Sequence, residues 1–541
     1  MNFRLNAPKP YVRIETQASM GCYSSVARLS MFRLMNHFRV LPLVLSGLCL
    51  MGRLEAKDIL VKNAAELKSA ITSGGSGTTV KIAKGEYRDI KLKLNFGGSK
   101  EAPFTIKAEY PGEVIFTGNS HLEINAKHVV VEGLFFYKGA IEVNPEDREN
   151  AVCKFNSDFG TMRQCAIVDY NPAEFKTEYY WVFFNGSNNK LERCYLKGKN
   201  NMQPLIGNGI EGCRYNMVRE CYIKNIPYDV GNGREGIRVW GSGKFDEKPT
   251  DGAYFTVEGN LFDHADGEGT EIVSLKSNFN QVLNNTVIAT KGCLNIRRGS
   301  NNTMKGNIIL GEGADGAQGL RMSGANHVVQ GNYVAGTEYG IRVSCGEFTA
   351  RSLTKDFTPK EKSGAKSAKN ATGEVTSYPQ VKKLNLSNNV IVGCKTSALE
   401  IGSDYKKHWP DNQMILLPED CDIANNRFID GDGKGVAIEG AEVDPHIPSV
   451  GKKFIPNRFK GNVVMGGKVR YQPAESGCKE VALPSGWSEK KERANFKPLT
   501  AADVGPEWVI ALRNAKQFPM EDDRSCYRES APDEKKKKKD K

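Results

Sequence analysis

Residues 258–334 repeat one short phrase, which reads EGNLF (258–262), NNTVI (284–288), KGNII (305–309) and QGNYV (330–334). Each copy places an asparagine directly before two or more residues suited to a strand. Earlier in the chain the phrase occurs with cysteine at the anchor position, at Cys194 and Cys221. Later copies carry the asparagine again, at Asn389, Asn426 and Asn462.

The spacing of these anchors predicts the fold. Several intervals are 22 to 27 residues, which suits one coil of a parallel β-helix, and the longer ones suit a coil with an inserted loop. Short β-rich runs separated by Gly and Asn indicate the same architecture. We therefore predict an all-β, single-stranded parallel β-helix in which the anchor asparagines stack and hydrogen-bond between coils as a ladder.

The chain outside the repeats divides into three parts. Residues 1–56 are predicted to be a leader, because MNHFRVLPLVLSGLCLMGRLEA (35–56) has the pattern of a secretory signal, with Met31 and Met35 as alternative starts. A membrane anchor is the alternative, although the apolar run is short for a span. Residues 57–485 are predicted to form the β-helix, with 346–380 as an inserted loop. Residues 486–541 are predicted to be an extension with a Lys-rich tail.

A short helix is expected to cap the start of the β-helix. The stretch NAAELKSAI (63–71) offers Asn63 as the N-cap residue and Glu66 three residues later, which is the capping-box spacing. Such a helix would cover the open end of the core and its edge strands.

Bulk charge and cysteine content say little about partners. The net charge is +12, but the leader contributes +5 and the tail DEKKKKKDK (533–541) contributes +3. The placement of basic residues must therefore carry any argument for an anionic partner, and nucleic acid is not predicted. The 11 cysteines after the leader form no CxxC pair, so we expect buried small side chains, with one or two disulfides as the alternative.

Basic residues recur at the interval of one coil. In GIRVW (236–240), IVSLKS (272–277), LNIRRG (294–299), GLRMSG (319–324) and GIRVSC (340–345), apolar neighbours face the core, so the basic residues between them face outward. The steps from Lys276 to Arg297, Arg321 and Arg342 are 21, 24 and 21 residues. These residues are therefore expected to stack on strands ~4.8 Å apart. Because stacked like charges repel, the column predicts a groove that binds an anion.

The stretch DGEGTEIVSLKS (266–277) adds two glutamates to this column. Glu271 and Lys276 are five residues apart, so they would face opposite sides of a straight strand. If both serve one site, the chain must bend between Glu271 and Val273. A surface ion-pair cluster at a β-helix corner is the alternative.

Three blocks resemble the core of polysaccharide lyase family 6, which includes alginate lyases and chondroitinase B. They are NGREGIRVW (232–240), NLFDHADGEGTEIVSLKSNFNQVLNNTV (260–287) and GCLNIRRG (292–299); PLTAADVGPEW (498–508) resembles the end of such enzymes. The resemblance implies a right-handed parallel β-helix. It also implies that Asn232, Glu268 and Glu271 bind Ca²⁺, and that Lys276 and Arg297 are catalytic.

The chain departs from the family pattern at three positions. Two residues separate the glutamates of EGTE where the family usually has one, Arg234 replaces a usual glycine, and Arg298 replaces a usual histidine. These departures concern calcium dependence and substrate preference more than the reaction class.

The implied reaction is β-elimination on a uronate polymer. A cation would neutralise the sugar carboxylate, Lys276 would remove the C5 proton, and Arg297 would bind the anion. The flanking sugars would be held through forked hydrogen bonds by further arginines, Arg238, Arg298, Arg321 and Arg342.

These inferences lead to an exported lyase of alginate, periplasmic or secreted, with no membrane insertion after signal removal. A chondroitinase B-like lyase of dermatan or chondroitin sulfate is the nearest alternative. A pectin hydrolase would need paired outward carboxylates, which the basic column does not supply. Outside enzymes, the alternative is a non-catalytic β-helix that binds an anionic carbohydrate.

Overall fold

The computed structural model describes residues 57–229, 232–241, 248–349, 378–405, 408–409, 412–430, 435–442 and 454–517. The predicted leader at 1–56, residues 350–377 of the predicted inserted loop and the Lys-rich tail lie outside these ranges. Among the described residues, no helix has the length and apolar character needed to cross a membrane.

The chain winds as a right-handed parallel β-helix, and each coil adds one strand to each of three parallel sheets. Sheet 1 consists of Lys57–Val61, Thr78–Ile82, Phe104–Ala108, Val129–Glu132, Thr161–Arg163, Lys190–Glu192, Met217–Arg219, Thr256–Glu258, Gln281–Leu283, Thr303–Lys305, Val328–Gln330, Asn385–Ser387, Asp422–Ala424 and Arg458–Lys460. Sheet 2 consists of Gly85–Arg88, Val114–Thr117, Phe135–Tyr137, Ala166–Val168, Tyr195–Lys197, Tyr222–Ile226, Leu261–Ala265, Thr286–Ile288, Ile308–Leu310, Tyr333–Ala335, Val390–Val392, Arg427–Ile429, Asn462–Met465 and Cys478–Val481.

Sheet 3 carries the basic residues and consists of Lys91–Leu94, His121–Ile124, Ala151–Phe155, Tyr180–Phe184, Ile206–Asn208, Ile237–Trp240, Glu271–Lys276, Gly292–Arg298, Ala317–Met322, Ile341–Ser344, Ser397–Ser403, Val436–Gly440 and Lys468–Arg470. A small antiparallel sheet joins Gly346–Thr349, Asn412–Leu416 and His408–Trp409 at the predicted inserted loop. The predicted all-β parallel β-helix is confirmed.

The core lies inside the three sheets and follows from the alternation along each strand. One inward column runs through the twelve inner strands of sheet 1 with every member fully buried, at Val80, Ile106, Val131, Met162, Leu191, Val218, Val257, Val282, Met304, Val329, Leu386 and Ile423. Stacking similar apolar side chains on successive coils buries their area continuously along the solenoid.

The anchor asparagines form the predicted ladder. From Asn260 to Asn462, each side-chain amide donates to the side-chain oxygen of the next anchor at 2.9 to 3.0 Å, and that oxygen also accepts the backbone N–H of the preceding anchor. All are buried, so the ladder satisfies polar groups that water cannot reach.

Cysteines take the ladder position in the earlier coils, as the repeat predicted. The backbone N–H of Cys194 donates to Cys221 Sγ at 3.4 Å, and the Cys221 N–H donates to Asn260 Oδ1 at 2.9 Å. All ten cysteines within the described ranges are free, and most are buried. They therefore act as small side chains of the core, as expected.

The start of the solenoid is capped by α1 (Ala64–Ser73). Asn63 Oδ1 accepts the N–H of Glu66 at 2.9 Å, and the Glu66 carboxylate accepts the N–H of Lys62 at 2.8 Å. Asn63 is therefore the predicted N-cap residue, while Glu66 accepts the N–H of Lys62, one residue before the N–H that a capping box uses. Leu67, Ala70 and Ile71 bury the apolar face of α1.

After the last strand of sheet 2, the chain turns back and covers the outer face of that sheet. Phe496 stacks on Tyr333 with ring centroids 4.2 Å apart, and Trp508 Nε1 donates to the carbonyl of Gln164 at 2.7 Å. Residues 486–517 therefore bury apolar side chains that would otherwise be exposed on sheet 2. The helices near and within this region are α2 (Gln472–Glu475), α3 (Glu489–Arg493) and α4 (Glu507–Asn514).

Removing one rung of the ladder should destabilise the solenoid. The Asn307 amide donates to Asn332 and to the carbonyl of Val282, while its oxygen accepts two bonds from Asn285. We expect Asn307→Ala to lower the free energy of unfolding by about 3 kcal/mol, since each buried polar group left unsatisfied costs ~1–3 kcal/mol. Denaturant unfolding followed by circular dichroism measures this.

The matched control is Asn385→Ala, because Asn385 lies on the exposed side of a sheet 1 strand. Its unfolding free energy should stay within about 0.5 kcal/mol of the wild type. Equal losses in the two variants would contradict a special role for the ladder.

Candidate active site

The strand Glu271–Lys276 bends between Glu271 and Val273, where a bend is needed if Glu271 and Lys276 serve one site. Glu271 and Val273 pair with Cys293 and Leu294, so Ile272 is an extra residue in the register. Ile272 and Val273 are both buried in the core, which interrupts the alternation of the strand. The bulge brings Glu271 to the same face of sheet 3 as Lys276.

A buried glutamate that the sequence analysis did not assign lies at the centre of the site. The Glu235 side chain is 0% exposed; it accepts two hydrogen bonds from Arg238, at 2.8 and 2.5 Å, and one from Lys276 Nζ at 2.9 Å. Burial opposes its ionisation, but the hydrogen bond from Arg238 and the charge of Lys276 hold the pKa of Glu235 below its ordinary value. Lys276 and Arg238 are thereby fixed to one carboxylate.

The two residues between the glutamates of EGTE form a turn. Gly269 has φ +71°, and a Cβ there would lie 2.6 Å from the Tyr228 ring, so a glycine is required. The Glu268 carboxylate accepts the backbone N–H groups of Gly233 and Arg234, at 2.7 and 3.2 Å. The longer spacing therefore still delivers Glu268 to the site.

Arg234, which stands where the family usually has glycine, is buried and supports this turn. Its guanidinium donates to the carbonyls of Pro227, Gly267 and Asn201 at 3.0, 3.2 and 3.3 Å. Because Gly267 directly precedes Glu268, Arg234 connects the two chain segments that hold that carboxylate. Phe175 packs against the guanidinium at 5.1 Å.

Three carboxylates converge at this point. Oxygen atoms of Glu235, Glu268 and Glu271 lie within 4.8 Å of one another. Burial and the charge of Glu235 raise the pKa of Glu268 to about 7. Glu271 accepts a hydrogen bond from Asn295 Nδ2 at 2.8 Å, and its Oε1 lies 3.5 Å from Arg297 Nε.

This donor set fits a hard divalent cation. Clustered carboxylate oxygens are the ligands that Ca²⁺ takes, and a cation would relieve their mutual repulsion. The buried amide oxygen of Asn295, beside Glu271, has no hydrogen-bond partner and is a further oxygen donor. Asn232 lies at an exposed bend next to Gly233, so the structure gathers Glu235 with Glu268 and Glu271, while Asn232 stays at the rim.

The basic residues form two columns, and the single stack expected from the sequence is wrong. Lys276 pairs with Arg298, because Arg297 is an extra residue between Ile296 and Arg298. Arg321 pairs with Arg342, as expected, but on its other side it pairs with Asn295. The bulge moves Arg297 out of the register that its sequence spacing suggested.

The outer arginines already have partners in the chain. Arg321 Nη2 lies 3.2 Å from Asp404 Oδ2, and Arg342 makes two bonds to Glu400. Arg298 packs at 4.8 Å over the ring of Trp240. Burial and the adjacent Arg297 lower the pKa of Arg298 from its ordinary value.

The family model for chondroitinase B matches residues 61–342. The family 6 polysaccharide lyase Pedsa3628 from Pseudopedobacter saltans is 38% identical, with a TM-score of 0.71 over 83% of this chain and 99% of that one. The chain belongs to polysaccharide lyase family 6. No curated protein matches it.

Two further lyases of family 6 share the fold. A mannuronic acid-specific enzyme from human gut microbiota is 22% identical, with a TM-score of 0.66 over 86% of this chain and all of that one. The alginate lyase AlyGC is also 22% identical, with a TM-score of 0.65 over 83% of this chain and 58% of that one.

Membership of family 6 makes the protein a polysaccharide lyase.

Several residues of its candidate site could not be identified from the sequence alone. Glu235 lies in the quoted NGREGIRVW block, three residues before Arg238, and that spacing was its only signal. Asn295 and Ser274 occupy outward positions between the arginines and have buried, unpartnered oxygens. Nothing in the linear sequence marks Tyr378, whose ring lies over Arg297.

Neutralising Glu235 should destabilise the site. Glu235→Gln leaves Lys276 and Arg238 without their counter-charge in a buried position, so we expect a loss of about 3–5 kcal/mol in unfolding free energy. Denaturant unfolding in the presence of chelator measures this without a contribution from bound cation. Glu439→Gln, at an exposed position of the same sheet, is the control and should unfold like the wild type. Identical midpoints for both variants would contradict the buried ion cluster.

Proposed function

We propose that this polysaccharide lyase cleaves alginate by β-elimination and releases oligosaccharides with an unsaturated end. The observation that carries the proposal is the bond between Lys276 and Glu235, next to Arg297 and the carboxylate cluster. A base, an anion-binding group and a cation site then share one face of sheet 3. AlyGC is an alginate lyase and the gut enzyme is specific for mannuronic acid, which supports alginate as the substrate.

Lys276 is assigned the role of base. It donates to Glu235, so it must give up a proton before it can accept one from C5 of the sugar. Arg238 makes two bonds to the same carboxylate and keeps Glu235 neutralised while Lys276 is uncharged. Positioned acid–base help of this kind contributes roughly 10²–10⁴-fold to the rate.

Arg297 is assigned to the substrate anion. Because arginine stays protonated in proteins, the proton for the leaving oxygen on C4 comes from water or another donor. Arg298, packed on Trp240, lies beside Lys276 and faces the adjoining sugar. Arg238, Arg321 and Arg342 already pair with carboxylates of the chain, so they would contact flanking sugars through their remaining N–H donors and add little net charge.

Ca²⁺ is the proposed cofactor, held by Glu235, Glu268 and Glu271 with Asn232 at the rim. When bound, it would neutralise the sugar carboxylate and make the C5 proton easier to remove. We also propose that the protein is exported, which rests on the signal-like pattern of residues 35–56.

The match to the chondroitinase B family model favours a second candidate, a lyase of dermatan or chondroitin sulfate. Ultraviolet absorbance of the unsaturated product, with each polymer incubated separately, discriminates the two. We expect a rise with alginate. A rise only with the sulfated polymer would transfer the proposal to the second candidate, and no rise with either would favour a binding solenoid.

Loss of the base should abolish cleavage without unfolding the chain. We expect Lys276→Ala to lower the rate of product formation by about 10²-fold or more, because Lys276 is the group assigned to remove the C5 proton. Glu235 keeps Arg238 as a partner, so the circular dichroism spectrum should be unchanged. Lys468→Ala, at an exposed position on the last strand of sheet 3, is the control. Substantial activity in Lys276→Ala would remove Lys276 from the mechanism.

Cation binding should be visible in stability as well as in activity. Ca²⁺ at 100 times its dissociation constant should stabilise the wild type by ~2.7 kcal/mol, seen as a higher thermal midpoint. The double variant Glu268→Gln, Glu271→Gln should show no such rise, because two of the three carboxylates are neutral. An equal rise of the thermal midpoint in the wild type and the double variant would indicate that the cation binds elsewhere.

A further inference from the structure

Residues 378–380, at the end of the predicted inserted loop, lie directly beside the site. The carbonyl of Tyr378 accepts the N–H of Glu347 at 2.8 Å, and the carbonyl of Pro379 accepts the N–H of Gly324 at 3.1 Å. Gln380 Nε2 donates to the carbonyl of Leu417 at 2.7 Å. Three separate parts of the chain therefore fix the backbone at this point.

The Tyr378 side chain joins a small apolar cluster to the site. It is half-buried and packs against Cys345, Met414 and Leu417 outside the main core. The face of its ring lies over the guanidinium of Arg297, with Cζ 3.5 Å from the ring centroid. This is a contact distance between two planar groups, and arginine favours such stacking.

The stack restricts the orientation of Arg297 more closely than its contact with Glu271 does. Its Nε is 3.5 Å from Glu271 Oε1, which is longer than a good charge-assisted hydrogen bond. An arginine side chain has ~2 kcal/mol of rotamer entropy to lose when it is held in one orientation. The aromatic face sets the plane of the guanidinium before any substrate arrives.

Arg342, by comparison, is held by residues of the coils themselves. It packs at 3.8 Å over Tyr339, which lies on the same coil, and it makes two bonds to Glu400. Arg297 instead receives its aromatic partner from the inserted segment. Tyr378 also reaches Arg321, at the longer distance of 5.8 Å.

We propose that Tyr378 is a positioning residue for the lyase reaction: its ring holds the Arg297 guanidinium in the orientation that meets the substrate anion. Tyr378 thereby completes the site without touching the reacting atoms itself. The inference rests on the proposed function, because it takes Arg297 to bind the anion in the transition state.

The test compares two substitutions at Tyr378. Tyr378→Phe keeps the stacking face, so its kcat should stay within about twofold of the wild type. Tyr378→Leu removes the face, and its kcat should fall about 3- to 30-fold, with a smaller change in KM. Phe454→Leu, which alters the same apolar cluster, should leave kcat unchanged. Product formation on the polymer that the wild type cleaves gives both constants.

Three results would overturn the proposal. Wild-type kcat in Tyr378→Leu would mean that the stack does not matter to the reaction. An equal loss in Tyr378→Phe would assign the effect to the hydroxyl group, and an equal loss in Phe454→Leu would assign it to packing of the cluster.

A second measurement does not depend on activity. Tyr378→Leu and Arg297→Gln are combined, and the thermal midpoints of the single and double variants are compared. A stacked pair predicts a loss in the double variant that is smaller than the sum of the two single losses. Additive losses overturn the proposal even if the wild type cleaves alginate. A wild type that cleaves no polymer refutes the proposed function, while this cycle still decides whether the two side chains are coupled.

Discussion

The hydrogen-bonded stacking of one coil on the next is the constraint on which the remaining structure depends. The ladder that runs from Cys194 through Asn260 to Asn462 ties the same point of each coil in that range to its neighbours. Because a strand slipped by one residue would turn its apolar set outward, a fixed point in each coil also fixes which side chains face the solvent. The regular register of sheets 1 and 2 follows from this.

Sheet 3 departs from that register where the chemistry is concentrated. One bulge lies at Ile272 and a second at Arg297, both in the strand pair that carries the site. Each adds a residue that the neighbouring strand does not match, so functional groups that regular pleating would separate come to one face. The ladder holds the coil in place from its far side, which allows these irregularities without loss of the core.

The sequence was sufficient for the fold and for the identity of most charged groups, because both follow from periodicity. The anchor spacing predicted coils, the Asn63 and Glu66 pair predicted the cap, and parity predicted a bend after Glu271. The predicted single stack of the basic residues was wrong, because a bulge is a local change in the backbone that residue spacing does not reveal. Glu235 was missed for another reason: a buried acid becomes recognisable only when its partners Lys276 and Arg238 are seen around it.

Contacts between residues that are far apart in the sequence could not be predicted either. Tyr378 meets Arg297 across 81 residues, and residues 486–517 contact strands that lie from about 160 to about 370 residues earlier in the chain. No short-range pattern encodes such contacts, because they arise from where the solenoid places its insertions and its end. The Asp404 and Glu400 partners of the outer arginines belong to the same class.

The ion pairs of Arg321 and Arg342 determine where the site attracts an anionic substrate. Around Lys276 the cations Arg238, Arg297 and Arg298 face Glu235, Glu268 and Glu271; when all seven groups are ionised, four cations and three carboxylates leave a net charge of +1. A divalent ion in the proposed site would raise this to +3 and concentrate the attraction for an anion at the place of reaction. Arg321 and Arg342, by contrast, lie in neutral pairs and add little for a further negative group. The uncompensated charge is therefore concentrated around Lys276 rather than spread along the coils of sheet 3.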